Sequence, residues 1–507
     1  MKDGFGFPLR RGIKGEDKRN FSRYILLLFL TNISYVLVGQ NVVDAVRYSN
    51  IGYQGSARFE AMAGAFGALG ADLSSNQINP AGYGRFSSSV VGTTIHYNSI
   101  NAKAKFQENN LETKKGNAKM PSLGIVLVKD NSRNNKGFLY SQFGFSYNRL
   151  ENFATVKRYQ GALYKSLLDE FASYGQGIIP DNLPPFTTML AWNTYAIDPD
   201  GADGYVANLA SGDTTFQRRT ITTKGGVGNF SFNYSFNYLN KLYFGANVGI
   251  NSINYSDAYT HSEVNNPNSI SAVDSFNYTY SLRTKGAGFN LKLGAIYLPA
   301  DFLRLGLAFH SKTYYNLTDN WTADMTTYRN DGVFNIPPDY IPVGNYKYRL
   351  QTPAKFIGSV GFIIRKMAAI DVDLEFVNYR GNKFKSTRNF AYDPEPNNYA
   401  YQNQEIRDLL APKLNFRIGG ELVIAKNYFV RLGFAHYPQP YKKAFSGSYQ
   451  ATSVYSGGIG FRIKERLSVD LAYKLQNNNF DYIAYEGSTA HFKQSSSLIV
   501  ASISFRF

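Results

Sequence analysis

The chain has 507 residues, of which 16% are aromatic, contains no cysteine and carries a formal net charge of +17. Its mean hydropathy is −0.30, and beyond the N-terminus it lacks the apolar run of about 20 residues that a helical membrane protein needs. A transmembrane β-barrel instead carries its apolar surface in alternating strands. The basic residues form no cluster with interleaved aromatic residues, which argues against a nucleic-acid partner.

Residues 1–39 are expected to be a signal peptide. Three basic residues precede an apolar run at 24–30, which is the order found in export signals. Polar residues interrupt the apolar segment, and this favours a cleaved signal over a permanent membrane anchor. Cleavage is expected near Gly39 or Gln40. Export would permit disulfides, but the chain has no cysteine to form them.

Residues 40–85 do not alternate and are rich in glycine and alanine, which allow close packing and tight turns. A barrel of fourteen strands has a lumen too wide for side chains alone to fill. We therefore expect this segment to be an N-terminal hatch, folded as a plug inside the barrel. A disordered periplasmic tail is the alternative, but Phe59, Met62, Phe66 and Leu69 have helix-like spacing.

Fourteen alternating segments follow the predicted hatch. They lie near 86–101, 119–130, 137–150, 224–240, 241–256, 275–298, 302–315, 346–364, 368–385, 411–424, 427–437, 452–464, 466–486 and 491–507. A strand that is apolar on one face and polar on the other separates hydrocarbon from a wet interior. The pattern predicts an all-β transmembrane fold, a fourteen-stranded antiparallel outer-membrane β-barrel over residues 86–507.

Short and long connections alternate between these segments. The long ones are predicted at 102–118, 151–223, 257–274, 316–345, 386–410 and 438–451. Outer-membrane barrels have short periplasmic turns and long external loops, and an even number of strands places both ends of the barrel on the periplasmic side. The largest predicted external loop is 151–223.

A stripe of apolar residues in the largest loop has helical spacing: Leu163, Leu167, Leu168, Phe171 and Tyr174. We expect these residues to form one wall of an external groove that captures substrate. The alternative is that the stripe packs the loop onto the rim of the barrel.

Three carboxylates alternate with apolar residues in one predicted strand. Asp371, Asp373 and Glu375 should therefore face the lumen. Like charges at this spacing need cations nearby. The three groups could bind a metal or steer a cationic solute, or they could form internal ion pairs with residues such as Arg304 or Arg417.

No pattern of catalytic or cofactor-binding residues stands out. The five histidines are scattered without an i, i+4 pair, and no cysteine is available, so a metal or haem cofactor is not expected. A Gly-x-Ser-x-Gly elbow with supporting histidine and acidic residues is not apparent. We therefore expect a protein that has no cofactor and is not an enzyme.

The last strand ends on an aromatic residue. Ile503, Phe505 and Phe507 share one face, whereas Ser504 and Arg506 share the other. This ending resembles that of outer-membrane barrels, which implies that Ile503, Phe505 and Phe507 form a signal for the barrel-assembly machinery. An edge strand of an ordinary β-sandwich is the alternative.

The predicted hatch resembles the N-terminal hatch of the FadL family. The matching positions are Arg58, Ala61, Gly64, Ala65, Phe66, Ala68, Asp72, Ser74, Asn79, Pro80, Ala81 and Gly82. Asn-Pro alone is a common turn starter, but Asn-Pro-Ala-Gly after a Gly/Ala-rich run and before fourteen strands is specific. The stretches 286–307 and 352–358 resemble the central hairpin of the family and its next strand entry.

FadL proteins are outer-membrane transporters of long-chain fatty acids and other hydrophobic compounds. The resemblance implies a monomeric barrel in the outer membrane of a Gram-negative bacterium. A hydrophobic substrate would be captured outside, passed to a pocket against the hatch and released through a lateral opening into outer-membrane lipid. The implied hatch and gate residues are Phe66, Leu69, Asp72, Ser74, Asn79, Pro80, Ala81 and Gly82.

Passive transport agrees with the physics of apolar solutes, since burial is worth about 0.8 kcal/mol per methylene group. Two other functions stay open at this point. A general porin is one, although a hatch would close its lumen. A FadL-like adaptor for protein secretion is the other, because the loop 151–223 is long and could hold protein cargo. External loops commonly carry selectivity, so the length of this loop also leaves the substrate open.

Overall fold

The computed structural model describes residues 40–507 except 133–136, 202–203, 210–213, 267–268, 366, 388–398 and 444–449. The predicted signal peptide, residues 1–39, lies outside the described residues.

The described part of the chain contains twenty-one β-strands. They are β1 (Val90–Phe106), β2 (Asn109–Asp130), β3 (Phe138–Asn152), β4 (Thr155–Leu163), β5 (Ile197–Asp200), β6 (Gly204–Ala207), β7 (Thr215–Tyr238), β8 (Leu242–Val264), β9 (Val273–Ala300), β10 (Leu303–His310), β11 (Tyr314–Arg329), β12 (Gly332–Asn335), β13 (Val343–Gln351), β14 (Lys355–Ile364), β15 (Ala368–Asn378), β16 (Lys383–Ser386), β17 (Pro412–Ala425), β18 (Tyr428–Tyr437), β19 (Thr452–Ile463), β20 (Leu467–Tyr485) and β21 (Ser488–Arg506). Nineteen of them belong to one sheet, and β5 pairs only with β6.

The large sheet closes into a barrel because β21 pairs antiparallel with β1, from Val90 opposite Arg506 to Lys105 opposite His491. Four strands of the wall are each split in two: β3 with β4, β10 with β11, β13 with β14, and β15 with β16. β12 pairs only with the end of β11 and is not a wall strand of its own. Counting each split strand once and leaving β12 out, the described residues form fourteen wall strands. The predicted fourteen-stranded antiparallel barrel is therefore confirmed.

The two faces of the wall differ as the alternation predicts. In β8, Phe244 and Ile250 are 39% and 45% exposed, whereas Asn247 and Asn251 are almost completely buried. Outside, the barrel thus presents apolar side chains, and inside it presents polar ones. An outer apolar band on a closed antiparallel barrel is the surface that contacts lipid in an outer-membrane protein.

The helices are short, and each lies either before β1 or in a connection between strands. They are α1 (Val42–Ser49), α2 (Ala57–Ala61), α3 (Leu167–Gly175), α4 (Thr188–Asn193) and α5 (Ala400–Leu409). Single 3-10 turns span Ser75–Gln77, Pro80–Arg85, Pro180–Asn182, Pro338–Tyr340 and Tyr379–Gly381. No helix among the described residues is both long and apolar enough to cross a membrane.

The helix-like spacing that runs to Leu69 does not correspond to one helix. α2 ends at Ala61, and the chain then adopts positive φ angles of 50° at Ala63 and 76° at Gly64. Left-handed backbone ends a helix, and glycine accepts it at little cost. Phe66 and Leu69 consequently lie on an irregular segment that continues from this turn.

The strands extend farther than the alternation indicates. Most of the predicted connection 102–118 is strand, because β1 and β2 continue to a two-residue turn at Gln107 and Glu108. The predicted loop 151–223 contains β4, α3, α4, β5, β6 and the start of β7. These expected loop boundaries were wrong, because the outer ends of the long strands reach beyond the apolar band. In β1 the pattern inverts there, with Lys103 and Lys105 exposed and Ala102, Ala104 and Phe106 buried.

Candidate functional site

The segment from residue 40 to residue 86 lies inside the barrel, because it bonds to inward-facing groups on widely separated wall strands. The Ala57 amide donates to Ser502 Oγ of β21 at 2.6 Å. The Asn76 side-chain amide donates to Ser146 Oγ of β3 at 3.1 Å and to Ser231 Oγ of β7 at 2.8 Å. On another side, Ser456 of β19 donates its hydroxyl to the Ala61 carbonyl at 3.0 Å.

Two buried carboxylates of β15 bind four successive amides of this segment. Asp373 accepts from the N–H groups of Phe66 and Gly67 at 3.2 and 3.1 Å, one on each oxygen. Asp371 Oδ2 accepts from those of Ala68 and Leu69 at 3.1 and 3.3 Å. A buried amide without an acceptor is costly, and these bonds give each of the four amides one. The run from Phe66 to Leu69 is therefore fixed directly onto the wall.

The third carboxylate of the same strand is held by a buried arginine. Arg417 of β17 donates to Glu375 Oε2 at 3.0 Å and to Asp373 Oδ2 at 3.4 Å, and its side chain is only 1% exposed. All three carboxylates face the lumen, and Arg417 is one of the two predicted partners. Arg304, the other, donates instead to the Leu69 carbonyl at 3.3 Å.

The Asn-Pro-Ala-Gly motif rests on two glycines of the wall. Gly245 of β8 and Gly294 of β9 stand opposite each other in the register. A Cβ on Gly294 would collide with Asn79 Oδ1, and one on Gly245 would collide with the backbone at Pro80. Asn79 uses the close approach to donate to the Ala295 carbonyl at 3.1 Å, while it donates to the Gly67 carbonyl at 2.7 Å.

Asp72 and Ser74 connect the turn in which they lie to the start of α2. Ser56 caps α2 by accepting from the Phe59 amide, and its hydroxyl also donates to both oxygens of Asp72 at 2.8 and 2.9 Å. Ser74 Oγ accepts from the Ser56 amide at 2.8 Å. Burial raises the pKa of Asp72 above its ordinary value, and the charge of Arg58 and the hydrogen bonds partly oppose this effect.

The structure brings all eight predicted hatch residues together in the buried interior. Phe66 stacks on Phe59 with ring centroids 5.5 Å apart. Ala81 packs with Tyr243 and Ile296 of the wall. The residues thus form one structural unit, and their role in gating stays a prediction.

An apolar cluster surrounds α1, the first helix of this segment, in the part of the lumen nearest the long connections. α1 contributes Val42, Ala45 and Tyr48. The wall and α5 contribute Ile253, Tyr255, Tyr315, Leu317, Tyr348, Leu350, Val377, Tyr379, Phe384, Ile406 and Leu410. An internal apolar cluster is unusual for a barrel of this width, whose interior is ordinarily polar.

A cavity of about 640 Å³ lies beside α1 in the lumen. Its lining includes Arg47 and Tyr255 and reaches Phe153 and Thr155, where β3 gives way to β4. The backbone hydrogen-bond ladder between neighbouring strands of the wall is interrupted there. β2 pairs with β3 only between Ser122 and Asp130, and among the described residues no backbone ladder joins the remainder of β2 to β4.

The five residues of the predicted capture groove pack between the large external connection and the wall. Leu167, Leu168 and Phe171 of α3 are buried, whereas Leu163 and Tyr174 are half-buried. Their cluster includes the strand residues Phe276, Tyr278, Ala323, Met325 and Tyr485. This is the rim packing that the sequence left as the alternative, and a role in capture stays a prediction.

The three residues of the predicted assembly signal lie on the outer face at the end of the chain. Ile503, Phe505 and Phe507 are 47%, 43% and 58% exposed. Phe505 and Phe507 stack with ring centroids 6.5 Å apart. Recognition by the assembly machinery stays a prediction.

The sequence analysis missed the internal apolar cluster. Its signal is present in β11, where Tyr315 and Leu317 face inward while Asn316 and Asn320 face outward, which inverts the usual pattern of a barrel strand. It also missed Gly245 and Gly294, because a glycine in a strand does not reveal which backbone approaches it.

The fold can be compared with known proteins. No known family model matches the chain, and no curated protein matches its sequence. Among solved structures, a FadL homologue from Pseudomonas aeruginosa matches with a TM-score of 0.54 and 13% identity, over 90% of this chain and 100% of that one. A deltaS2 mutant of the monoaromatic hydrocarbon channel TodX matches with a TM-score of 0.52 and 11% identity, over 89% and 98%.

These likenesses establish the fold. The chain has the barrel fold of these structures, with fourteen wall strands and an apolar outer band of the kind that contacts lipid in outer-membrane proteins.

Proposed function

We propose that this protein carries hydrophobic molecules passively across the outer membrane. The observation that supports this most directly is the apolar cluster that surrounds α1 in the lumen of the barrel. Apolar surface inside a wet lumen attracts apolar solutes, and each buried methylene group contributes about 0.8 kcal/mol. The similar solved structures bear the names of a FadL homologue and a monoaromatic hydrocarbon channel, which points to the same class of substrate.

In the proposed route, the hydrophobic molecule enters from the side of the long connections and displaces α1 from the apolar cluster. The remainder of the predicted hatch, residues 50–85, closes the lumen below α1. Four amides bound to Asp371 and Asp373 hold the hatch in place, so the solute would have to leave sideways unless the hatch moved.

The lateral opening is proposed to lie between β2 and the split pair β3 and β4. Support comes from the cavity beside α1, which reaches the split at Phe153 and Thr155. Pro121 ends the stretch of β2 that lacks a ladder to its neighbour, and proline has no N–H to donate. A molecule passing there would enter the lipid directly and would need neither ATP nor an ion gradient.

Uptake of a labelled long-chain fatty acid and of labelled toluene tests the proposal, in cells that lack their own transporter and express this chain. We expect uptake with the intact protein. Deletion of 40–85 or Asn79→Ala should leave a folded barrel and change the uptake rate. The matched control is Asn345→Ala, which removes an exposed asparagine that bonds only to Asn320 in the outer region.

If the barrel is folded and the cells take up neither the fatty acid nor toluene, the proposal is contradicted. Uptake that is the same in the deletion and in the intact chain would keep hydrophobic transport but remove the hatch as its gate. Folding is checked by the shift in electrophoretic mobility that barrels undergo on heating.

A further inference from the structure

A second cavity, of about 300 Å³, lies on the opposite side of the N-terminal segment, at the end of the barrel with short turns. Six arginines contribute to its lining: Arg58, Arg85, Arg304, Arg431, Arg462 and Arg506. Only three carboxylates do so, namely Asp72, Glu421 and Asp470. The cavity therefore has an excess of positive charge.

Two of the arginines are neutralised by two of the carboxylates. Arg58 donates to both oxygens of Glu421, at 2.9 and 3.0 Å. Arg431 donates to Glu421 at 2.6 Å and to Asp470 at 2.7 Å. These four residues form a closed network, and the excess positive charge belongs to the other four arginines.

Among the described residues, neither Arg85 nor Arg304 forms an ion pair with a carboxylate within bonding distance, and the carboxylate beside Arg304 is that of Asp371. Arg85 Nη1 donates to the hydroxyl of Tyr243 at 2.5 Å, and Arg304 Nη1 donates to the Leu69 carbonyl at 3.3 Å. The Nε atoms of both side chains are buried and without a hydrogen-bond acceptor, as is that of Arg462. A buried charged donor without an acceptor is costly, so this geometry suits a site that takes up acceptor oxygens.

The side chains of Arg85 and Arg304 both contact one turn of the N-terminal segment, at Leu69 and Gly70. Arg304 bonds to the carbonyl of Leu69, and a Cβ on the next residue, Gly70, would lie 2.8 Å from Arg85 Cγ. Gly70 has a φ of 63°, a conformation that side chains rarely adopt. A side chain at this position would collide with Gly82 and with Arg85, so the turn needs glycine here.

We propose that this cavity binds an oxyanion, the carboxylate or phosphate group of a small molecule, between Arg85 and Arg304. Guanidinium groups match the planar, two-pronged geometry of carboxylates and phosphates. Arg462 and Arg506 add positive charge at the mouth. The site is separate from the apolar cluster and from the route proposed above, so it does not depend on that function.

Calorimetric titration of the purified full-length protein in an uncharged detergent, at low ionic strength, tests the site. Inorganic phosphate is the first probe, and decanoate is the second, since it distinguishes a free oxyanion from the head of a hydrophobic acid. We expect at least one probe to bind. The double variant Arg85→Gln with Arg304→Gln should weaken that binding at least tenfold.

The matched control is Arg466→Gln, which removes one positive charge from an exposed turn at the same end of the barrel. It should change the affinity by less than twofold. Absence of binding of both probes to the intact protein would overturn the proposal, and so would equal affinity in the double variant and the control.

A second variant keeps the test informative should the double variant fail to fold. Asp470→Asn removes a negative charge from the cavity wall and frees one N–H of Arg431. It should tighten binding of the same probe severalfold. An unchanged or weaker affinity in this variant, with the barrel folded, would also overturn the proposal.

Discussion

At the scale of single residues, the position of the N-terminal segment depends on two glycines of the wall, which have no side chain to keep it away. Gly245 and Gly294 face each other across β8 and β9, and together they leave a shallow depression in the inner wall. Asn79 and Pro80 fill it. Any larger residue at either glycine would push the motif away from the wall.

The change Gly294→Ala tests this contact. Its methyl group would collide with Asn79 Oδ1, and overpacking of this kind costs about 1–3 kcal/mol. We expect the hatch to loosen while the wall stays folded, so that trypsin cleaves after Arg85 faster than in the parent protein.

The control for this change is Gly358→Ala in β14, where a Cβ would meet nothing within 4 Å. Its rate of cleavage should equal that of the parent. Equal rates in both variants would mean that the glycine pair does not position the motif.

Sequence alone identifies Asn79 and Pro80, because a turn motif is local. It does not identify the glycines that receive them, which lie more than 160 residues away along the chain. The partner of Glu375 was one of two arginines that alternation placed in the lumen, and only the register selects Arg417.

At the scale of elements, β15 is both a wall strand and the anchor of the hatch. Its alternation places Asp371, Asp373 and Glu375 on the inner face, where two of them bind backbone amides of residues 66–69. Each carboxylate holds a different pair of amides, so the two attachments can be separated experimentally.

The change Asp371→Ala should release only the amides of Ala68 and Leu69. A buried donor left without its acceptor costs about 1–3 kcal/mol. Since each 1.36 kcal/mol is a factor of ten, residue-resolved hydrogen–deuterium exchange should accelerate about fivefold or more at these two positions.

Phe66 and Gly67, which bond to Asp373, serve as the control inside the same molecule. Their exchange should change little. Equal acceleration at all four amides would show that the hatch opens as one body, and no acceleration at any would show that the carboxylate is not an anchor.

The wall strands could be predicted from the sequence because hydrocarbon outside and water inside impose a two-residue period. Their outer ends could not, because the pattern inverts beyond the lipid: in β1, Lys103 and Lys105 are exposed, whereas Ala102, Ala104 and Phe106 are buried. The stripe on α3 was ambiguous for a related reason: the same spacing serves a groove or a buried contact, and here Leu168 and Phe171 are buried.

At the scale of the whole molecule, the central claim is that a closed wall and an internal hatch together exclude ions while an apolar path remains. The wall closes through the pairing of β1 with β21. The interior is occupied by residues 40–86, with apolar residues above and arginines below. A general porin of the same width would leave an aqueous channel.

Ion conductance in a planar lipid bilayer tests this claim most directly, with the intact protein compared with a deletion of 40–85. The account predicts that the intact barrel carries no steady current in the absence of substrate, whereas the deletion opens a conducting pore. A steady, porin-like current through the intact protein would contradict it.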